Sequence, residues 1–197
     1  HVYPRATEYV APMIALVESL LAKGVAYQGD DGSVYFAIGR HPAYGKLSRL
    51  DTRELQAGAG GRTLADEYAK EDARDFVLWK AAQPDDEAVK AAWDAPFGRG
   101  RPGWHLECSS MIKSVLGETI DIHGGGEDLV FPHHENEKAQ SEALHEKPLA
   151  KYWLHNSFIN VNEEIMSKSL GNFKTIGDLL KEYSPDTLRL LILQHHY

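Results

Sequence analysis

The stretch from Thr119 to Ser141, "TIDIHGGGEDLVFPHHENEKAQS", constrains the fold of this chain more than any other. "TIDIH" alternates apolar and polar residues, as a half-buried strand does. Gly124, Gly125 and Gly126 follow it directly. Pro132 then suits the first position of a helix, where its missing N–H costs nothing, and that helix is expected to run to about His145. Upstream, "HLECSSMIKSVLG" has helical spacing, with Leu106, Met111, Ile112 and Val115 as its apolar set and Gly117 as its stop. Downstream, "YWLHNSFINV" reads as a strand. Helix, strand, helix, strand, with glycines at a strand end, is the order of a doubly wound α/β sheet, which binds ligands at the carboxyl ends of its strands.

The rest of the chain is built around that unit. "TEYVAPMIALVESLLAKG" predicts an amphipathic helix with Thr7 as N-cap and Gly24 as its stop. "VAYQGDDGSVYFAI" predicts a β-hairpin across Gly29–Gly32. Between Gly39 and Gly103 the periodicity weakens; "LQAGAGGRTLADEYAKEDARD" is Gly-rich and then charged, and "DAPFGRGRPG" is dense in turn residues. Residues 25–98 therefore read as an insert of short strands and loops that exits through Asp94–Gly103. "EEIMSKSLGNF" reads as a polar loop. "TIGDLLKEY" and "SPDTLRLLILQHH" read as two helices, the second capped by Ser184 with Pro185 in its first turn.

Composition narrows the function classes. With 43% hydrophobic and 25% charged residues, the 197-residue chain has the make-up of a soluble globular domain. Its formal net charge of -8 argues against this piece alone gripping a nucleic-acid backbone. No run of about 18 apolar residues predicts a membrane span, and the N-terminus lacks the layout of a signal peptide. A single cysteine cannot form an internal disulfide, so a cytoplasmic, reducing setting is expected.

Two constellations carry chemistry. On a helix that starts at Pro132, His133 and Glu137 lie four residues apart on one face. Cys108 is one helix and one strand upstream, and a doubly wound sheet can bring two helix starts to one crevice. Thiolate, imidazole and carboxylate are all zinc ligands, and three protein ligands with an open position describe a working zinc. The same residues also read as an ordinary helix-surface pair beside a buried cysteine. "HENEK" is not a metalloprotease helix, because Lys138 stands where the second histidine would be and an ammonium cannot ligate. For nucleotide, Gly124–Gly126 would let a ligand approach the backbone closely, and Asp128 could accept from a ribose hydroxyl. No P-loop pattern occurs. In "IMSKSLGN", Lys168 sits between two serines on a loop that Gly171 lets move, as suits a polyphosphate gaining charge during displacement.

Met166-Ser167-Lys168-Ser169 resembles the second signature of class I aminoacyl-tRNA synthetases. "GWHLECSSM" (Gly103–Met111), "DIHGGGEDLVFPHHENEKAQS" (Asp121–Ser141) and "MSKSLGNF" (Met166–Phe173) together resemble the cysteinyl-tRNA synthetase family, and "YGKLSR" (Tyr44–Arg49) and "DFVLWK" (Asp75–Lys80) fit it. The resemblance implies the second half of a Rossmann-like nucleotide-binding fold with an inserted α+β connective peptide. Residues 1–24 would end the first half, 25–98 form the insert, 99–175 the second half with its signature loop, and 176–197 begin a helical stem-contact region. It implies ATP-dependent activation of L-cysteine to cysteinyl-adenylate and transfer to tRNA(Cys), with ATP and Mg²⁺ as substrate and one zinc per chain. By resemblance Cys108, His133 and Glu137 are the zinc ligands, and the zinc binds the substrate thiolate. Trp104 closes on the bound cysteine, with His105, His123 and His134 around it. Gly124, Gly125, Gly126 and Asp128 form the adenosine turn, and Lys168 is the catalytic lysine of the signature loop.

Two departures carry consequences. Ile165 stands where the signature usually begins with lysine, which removes one cation from the triphosphate. No His-Ile-Gly-His segment, no upstream cysteine ligand and no anticodon-binding region occur, so the piece alone is expected to be inactive and to reach tRNA only within a full-length parent. Ligases that join cysteine to an amino sugar in mycothiol synthesis share fold, adenylation and zinc, but their pattern lacks a glutamate at the position of Glu137. A non-catalytic zinc-binding module is a further alternative; it fits the truncation but not the intact signature loop.

Overall fold

The computed structural model describes residues 1–50, 74–161, 164–166 and 171–194. Helix α1 (Val10–Ala22) leads into a four-stranded sheet of β1 (Ala26–Gln28), β2 (Val34–Phe36), β3 (Phe76–Ala81) and β4 (Gly100–Pro102), with α2 (Pro84–Ala88) between the last two. Helix α3 (Trp104–Leu116), strand β5 (Ile120–Gly126), helix α4 (Glu135–His145) and strand β6 (Ala150–Asn156) follow. Strands β7 (Asn160–Val161) and β8 (Glu164–Ile165) and helices α5 (Ile176–Leu179) and α6 (Pro185–Leu193) complete the described chain. The residues fall into two compact units, one of residues 1–123 and 128–153, the other of 124–127 and 154–197.

In the first unit, α1 buries Val10, Met13, Leu16, Val17 and Leu20, a stripe at helical spacing. They join Val34, Phe36, Leu78, Trp79, Leu106 and Ala139 in one core. The sheet runs β1-β2-β3-β4, with each neighbouring pair antiparallel. Strand β5 pairs with β6. Ile120 N–H donates to the Leu149 carbonyl (2.8 Å), Asp121 pairs with Lys151 (2.7 Å), and His123 stacks on Trp153. Partners advance together along both strands, so the pair is parallel, joined through α4 in a β–α–β unit. The fold is thus mixed α/β, with a parallel pair beside antiparallel sheets among the described residues.

Several expectations change on contact with the structure. Thr7 does not cap α1: residues Ala6–Glu8 form a 3₁₀ turn, and the helix starts after Tyr9 with no side-chain cap. In α3 only Leu106 of the expected apolar set is fully buried; Ser109 and Ser110 fill the same face, where small side chains let α3 pack closely on α4. The helix stops as expected at Gly117, which has a φ of 98°. The three glycines are the last residues of β5, not a turn after it. Phe131 is extended, and helical geometry resumes from Pro132 and lasts to His145, as read from the sequence.

"DFVLWK" forms the third strand, and the turn-dense Asp94–Gly103 contains the fourth. Gly100 makes that pairing possible. A Cβ there would lie 2.2 Å from the Lys80 carbonyl and 2.5 Å from Trp79 Nε1, so no larger residue fits.

In the second unit, β7 and β8 pair antiparallel inside what the sequence presents as strand and polar loop. Ser184 caps α6 by accepting from Thr187 N–H (3.2 Å), with Pro185 in the first turn. Thr175 caps the four-residue α5 in the same way. The Gly-rich stretch within 51–73 and the signature residues Ser167, Lys168, Ser169 and Leu170 lie outside the described residues. No helix among the described residues is long and apolar enough to cross a membrane.

Candidate metal centre

The first turns of α3 and α4 meet beside His123 of β5. Helix α3 brings Trp104, His105 and Cys108; the residues leading into α4 bring His133 and His134, and its first turn brings Glu137; β5 brings His123. One ligand atom each from Cys108, His133 and Glu137 lies within 4.8 Å of the others. The same holds for His123, His134 and Glu137, so Glu137 belongs to both groups.

Glu137 is 1% exposed, and its two oxygens have different surroundings. Oε2 is 2.6 Å from His123 Nε2 in a hydrogen bond. Oε1 stands 2.6 Å from His133 Nε2 yet has no hydrogen-bond partner. His133 Nδ1 is 2.9 Å from His105 Nδ1, so one of the two rings donates to the other. If His133 donates there, its Nε2 is a lone pair facing the lone pairs of Oε1. A buried carboxylate oxygen without a donor is costly unless a cation meets it. This orphaned oxygen, with an imidazole nitrogen and a thiol at ligand spacing, fits a divalent metal ion.

The electrostatics agree. Burial pushes the Cys108 thiol up, and the carboxylates of Glu137 and Glu107 push it further, to about 12. No thiolate forms there at neutral pH unless a cation offsets those charges. Burial would raise Glu137, but the hydrogen bond from His123 and the close approach of the His133 and His123 imidazoles outweigh it and hold the carboxyl at about 2. Glu137 is therefore ionised, as a ligand must be. Burial lowers His105 to about 4, with His133 adding to the shift, so His105 is neutral at pH 7.

Of the other expected residues, Trp104 and His134 border this cluster. Trp104 is 52% exposed and stacks on the His133 ring at 4.1 Å. His134 is buried, with its ring 4.4 Å from that of His123. Gly124, Gly125 and Gly126 end β5, and Asp128 is exposed in the 3₁₀ turn Glu127–Leu129. Lys138, excluded above as a ligand, pairs with Glu142 at 2.7 Å.

Two features escape a sequence reading. Trp153 packs flat against His123, centroids 4.6 Å apart. Its place in the alternating β6 run was the available signal. Glu135, fully buried between the two histidines and Glu137, accepts from Gly45 N–H (2.9 Å), Ser48 N–H (2.8 Å) and the Ser48 hydroxyl (2.8 Å). Beside it, the Tyr44 hydroxyl donates to Asn136 Oδ1 (2.6 Å). Together these bonds tie "YGKLS" to the start of α4. Nothing in the spacing of residues 90 positions apart announces that contact.

Comparison with known proteins gives a consistent result. The family described as "tRNA synthetases class I (C) catalytic domain" matches residues 1–197. A cysteine–tRNA ligase of Thermosynechococcus vestitus is 54% identical over 197 residues, covering 99% of this chain and 40% of that protein. One of Delftia acidovorans is 56% identical over 195 residues, covering 98% and 41%. One of Chlamydia pneumoniae is 54% identical over 196 residues, covering 99% and 41%. The chain spans about two fifths of the length of the curated relatives it matches. Among solved structures, a putative arginyl-tRNA synthetase of Campylobacter jejuni superposes with a TM-score of 0.56 at 18% identity, over 98% of this chain and 33% of that one. At that identity the likeness speaks for the fold.

Proposed function

The chain belongs to the family of class I (C) tRNA synthetase catalytic domains, and from that premise we propose that it is the cysteine-selecting part of a cysteine–tRNA ligase. The activity is ATP-dependent: the carboxylate of L-cysteine attacks the α-phosphorus of ATP, pyrophosphate leaves, and the cysteinyl group passes from the adenylate to tRNA(Cys). The observation that carries the reading is the buried, unpartnered Oε1 of Glu137 at ligand spacing from His133 and Cys108.

In this proposal Cys108, His133 and Glu137 would hold one zinc ion. Bound there, zinc would supply a soft Lewis acid that stabilises the substrate's thiolate and favours sulfur over the hydroxyl of serine. The chain's own residues do the rest. His105, neutral and hydrogen-bonded to His133, fixes the orientation of that imidazole. Trp104, half-exposed on the His133 ring, gives an apolar wall that can cover a small side chain. Gly124, Gly125, Gly126 and Asp128 are assigned to adenosine, and Lys168 with Mg²⁺ to the phosphates, where catalysis is chiefly positioning and charge neutralisation. The division into residues 1–24, 25–98, 99–175 and 176–197 stands as a proposal beside it, with the antiparallel sheet reaching β4 at Gly100–Pro102.

The test is cysteine-dependent exchange of pyrophosphate into ATP by the intact protein, followed by an acceptor assay offering tRNA or an amino sugar. Cys108→Ala should abolish cysteine-dependent exchange, and Lys168→Ala should abolish exchange while zinc content is retained. Exchange that proceeds equally with serine, or acylation of the amino sugar in place of tRNA, would refute the reading.

A further inference from the structure

His123 and Glu137 come from different elements, β5 and α4, and meet at 2.6 Å through Nε2 and Oε2. Both are enclosed: their side chains are 11% and 1% exposed. The His123 ring has little freedom. It lies flat on Trp153, with an interplanar angle of 16° at 4.6 Å, and the His134 ring, itself 5.6 Å from Trp153, packs against it at a tilt, 4.4 Å away. A ring packed against two aromatic neighbours that also touch each other presents its Nε2 in one direction, and that direction is Glu137.

We infer that His123 is a positioning residue: by occupying Oε2 of Glu137 it leaves only Oε1 to a metal ion, so the carboxylate ligates through a single oxygen. The inference rests on the reading that Cys108, His133 and Glu137 hold a metal. It goes beyond it by giving His123 a task other than contact with substrate. A carboxylate can take a cation with one oxygen or two, and which it does sets the number of positions left for substrate. Hydrogen bonds to the second oxygen decide the matter, because an oxygen already accepting a short bond from an imidazole N–H is a poorer ligand. The two oxygens of Glu137 are asymmetric in the required sense: Oε2 is partnered by His123 and Oε1 is orphaned. Trp153 and His134 serve the same end one step further out, by holding the ring that holds the carboxylate.

The alternative use of the same atoms is ligation, since His123, His134 and Glu137 also stand at ligand spacing. Geometry favours positioning. His123 Nε2 and Oε2 meet in a hydrogen bond, whereas His133 Nε2, at the same 2.6 Å from Oε1, leaves that oxygen without one.

The test is titration of the metal-free protein with Co²⁺, followed by its visible absorption, in wild type, His123→Ala, His123→Gln and Cys108→Ser. The glutamine amide can donate to Oε2 from nearly the same reach as Nε2. His123→Ala should weaken Co²⁺ binding 10- to 100-fold, the range for loss of such an outer hydrogen bond. It should also lower the intensity of the ligand-field bands, because a carboxylate freed at Oε2 adds a fifth ligand. His123→Gln should restore affinity and spectrum together. If His123→Ala matches wild type within twofold while Cys108→Ser weakens binding, the inference falls and the metal reading stands. If Cys108→Ser also binds as wild type does, the metal reading itself falls. A wild type that takes two Co²⁺ per chain, with His123→Ala taking one, would make His123 a ligand and overturn its positioning role, as would a loss that glutamine does not restore.

Discussion

Removing the Glu135 carboxylate should destabilise the protein by about 3–5 kcal/mol, the scale of losing two hydrogen bonds to a charged acceptor. Its oxygens take three donors from one short segment: Gly45 N–H on Oε1, and the N–H and hydroxyl of Ser48 on Oε2. Bonds to a charged acceptor contribute about 1.5–3 kcal/mol each. In Glu135→Ala the Gly45 amide is left in a buried place, while half-buried Ser48 can recover water, which is why three full contributions are not expected. Glu135→Gln separates charge from shape. Whichever way its amide turns, the NH₂ faces a backbone N–H, at Gly45 or at Ser48, and neither can become an acceptor. The Ser48 hydroxyl can turn round, so the loss should be smaller, about 1–3 kcal/mol for one unsatisfied donor. Urea unfolding followed by tryptophan fluorescence gives both values from the shift in midpoint at constant slope. An alanine variant within about 1 kcal/mol of wild type would refute the claim that this carboxylate holds residues 44–48 against α4, given the hydrogen bonds it removes. So would a glutamine variant less stable than the alanine one.

Three further outcomes follow from the same coordinates. Gly100→Ala should cost at least about 2 kcal/mol by urea unfolding, because its Cβ has no room against Lys80 and Trp79. Tyr44→Phe should cost about 1–2 kcal/mol, since it strands the buried Asn136 Oδ1 that now accepts at 2.6 Å. In the metal-free protein, Cys108 is raised from 9.0 to about 12, so its thiolate fraction at pH 8 is about a thousandfold below that of an ordinary thiol. Alkylation by iodoacetamide should therefore keep rising with pH beyond 9, and a plateau near pH 9 would contradict the burial and charge assigned to that sulfur.

What the sequence reveals and what it hides divide on a physical line. Local chemistry was readable. The spacing of His133 and Glu137, the caps Ser184 and Pro185, and the hairpin across Gly29–Gly32 all depend on residues close in the chain. The cluster with Cys108 was within reach because a β–α–β unit brings successive helix starts together. Strand β4 was hidden because its glycines serve close approach to β3, which composition alone cannot distinguish from turn formation. The α3 core face was misread because Ser109 and Ser110 are buried for their size, not their polarity. The Glu135 anchor and the seat of His123 on Trp153 are long-range contacts with no periodic signature, and only coordinates reveal them.

Zinc-edge X-ray absorption of the protein, compared with its Cys108→Ser variant, bears most directly on the metal centre. Wild type should bind one zinc per chain with a sulfur shell at about 2.3 Å and nitrogen or oxygen near 2.0–2.2 Å, and the substitution should remove one sulfur from that shell. Zinc whose surroundings are the same in both proteins would contradict the assignment of Cys108, and with it the centre described here.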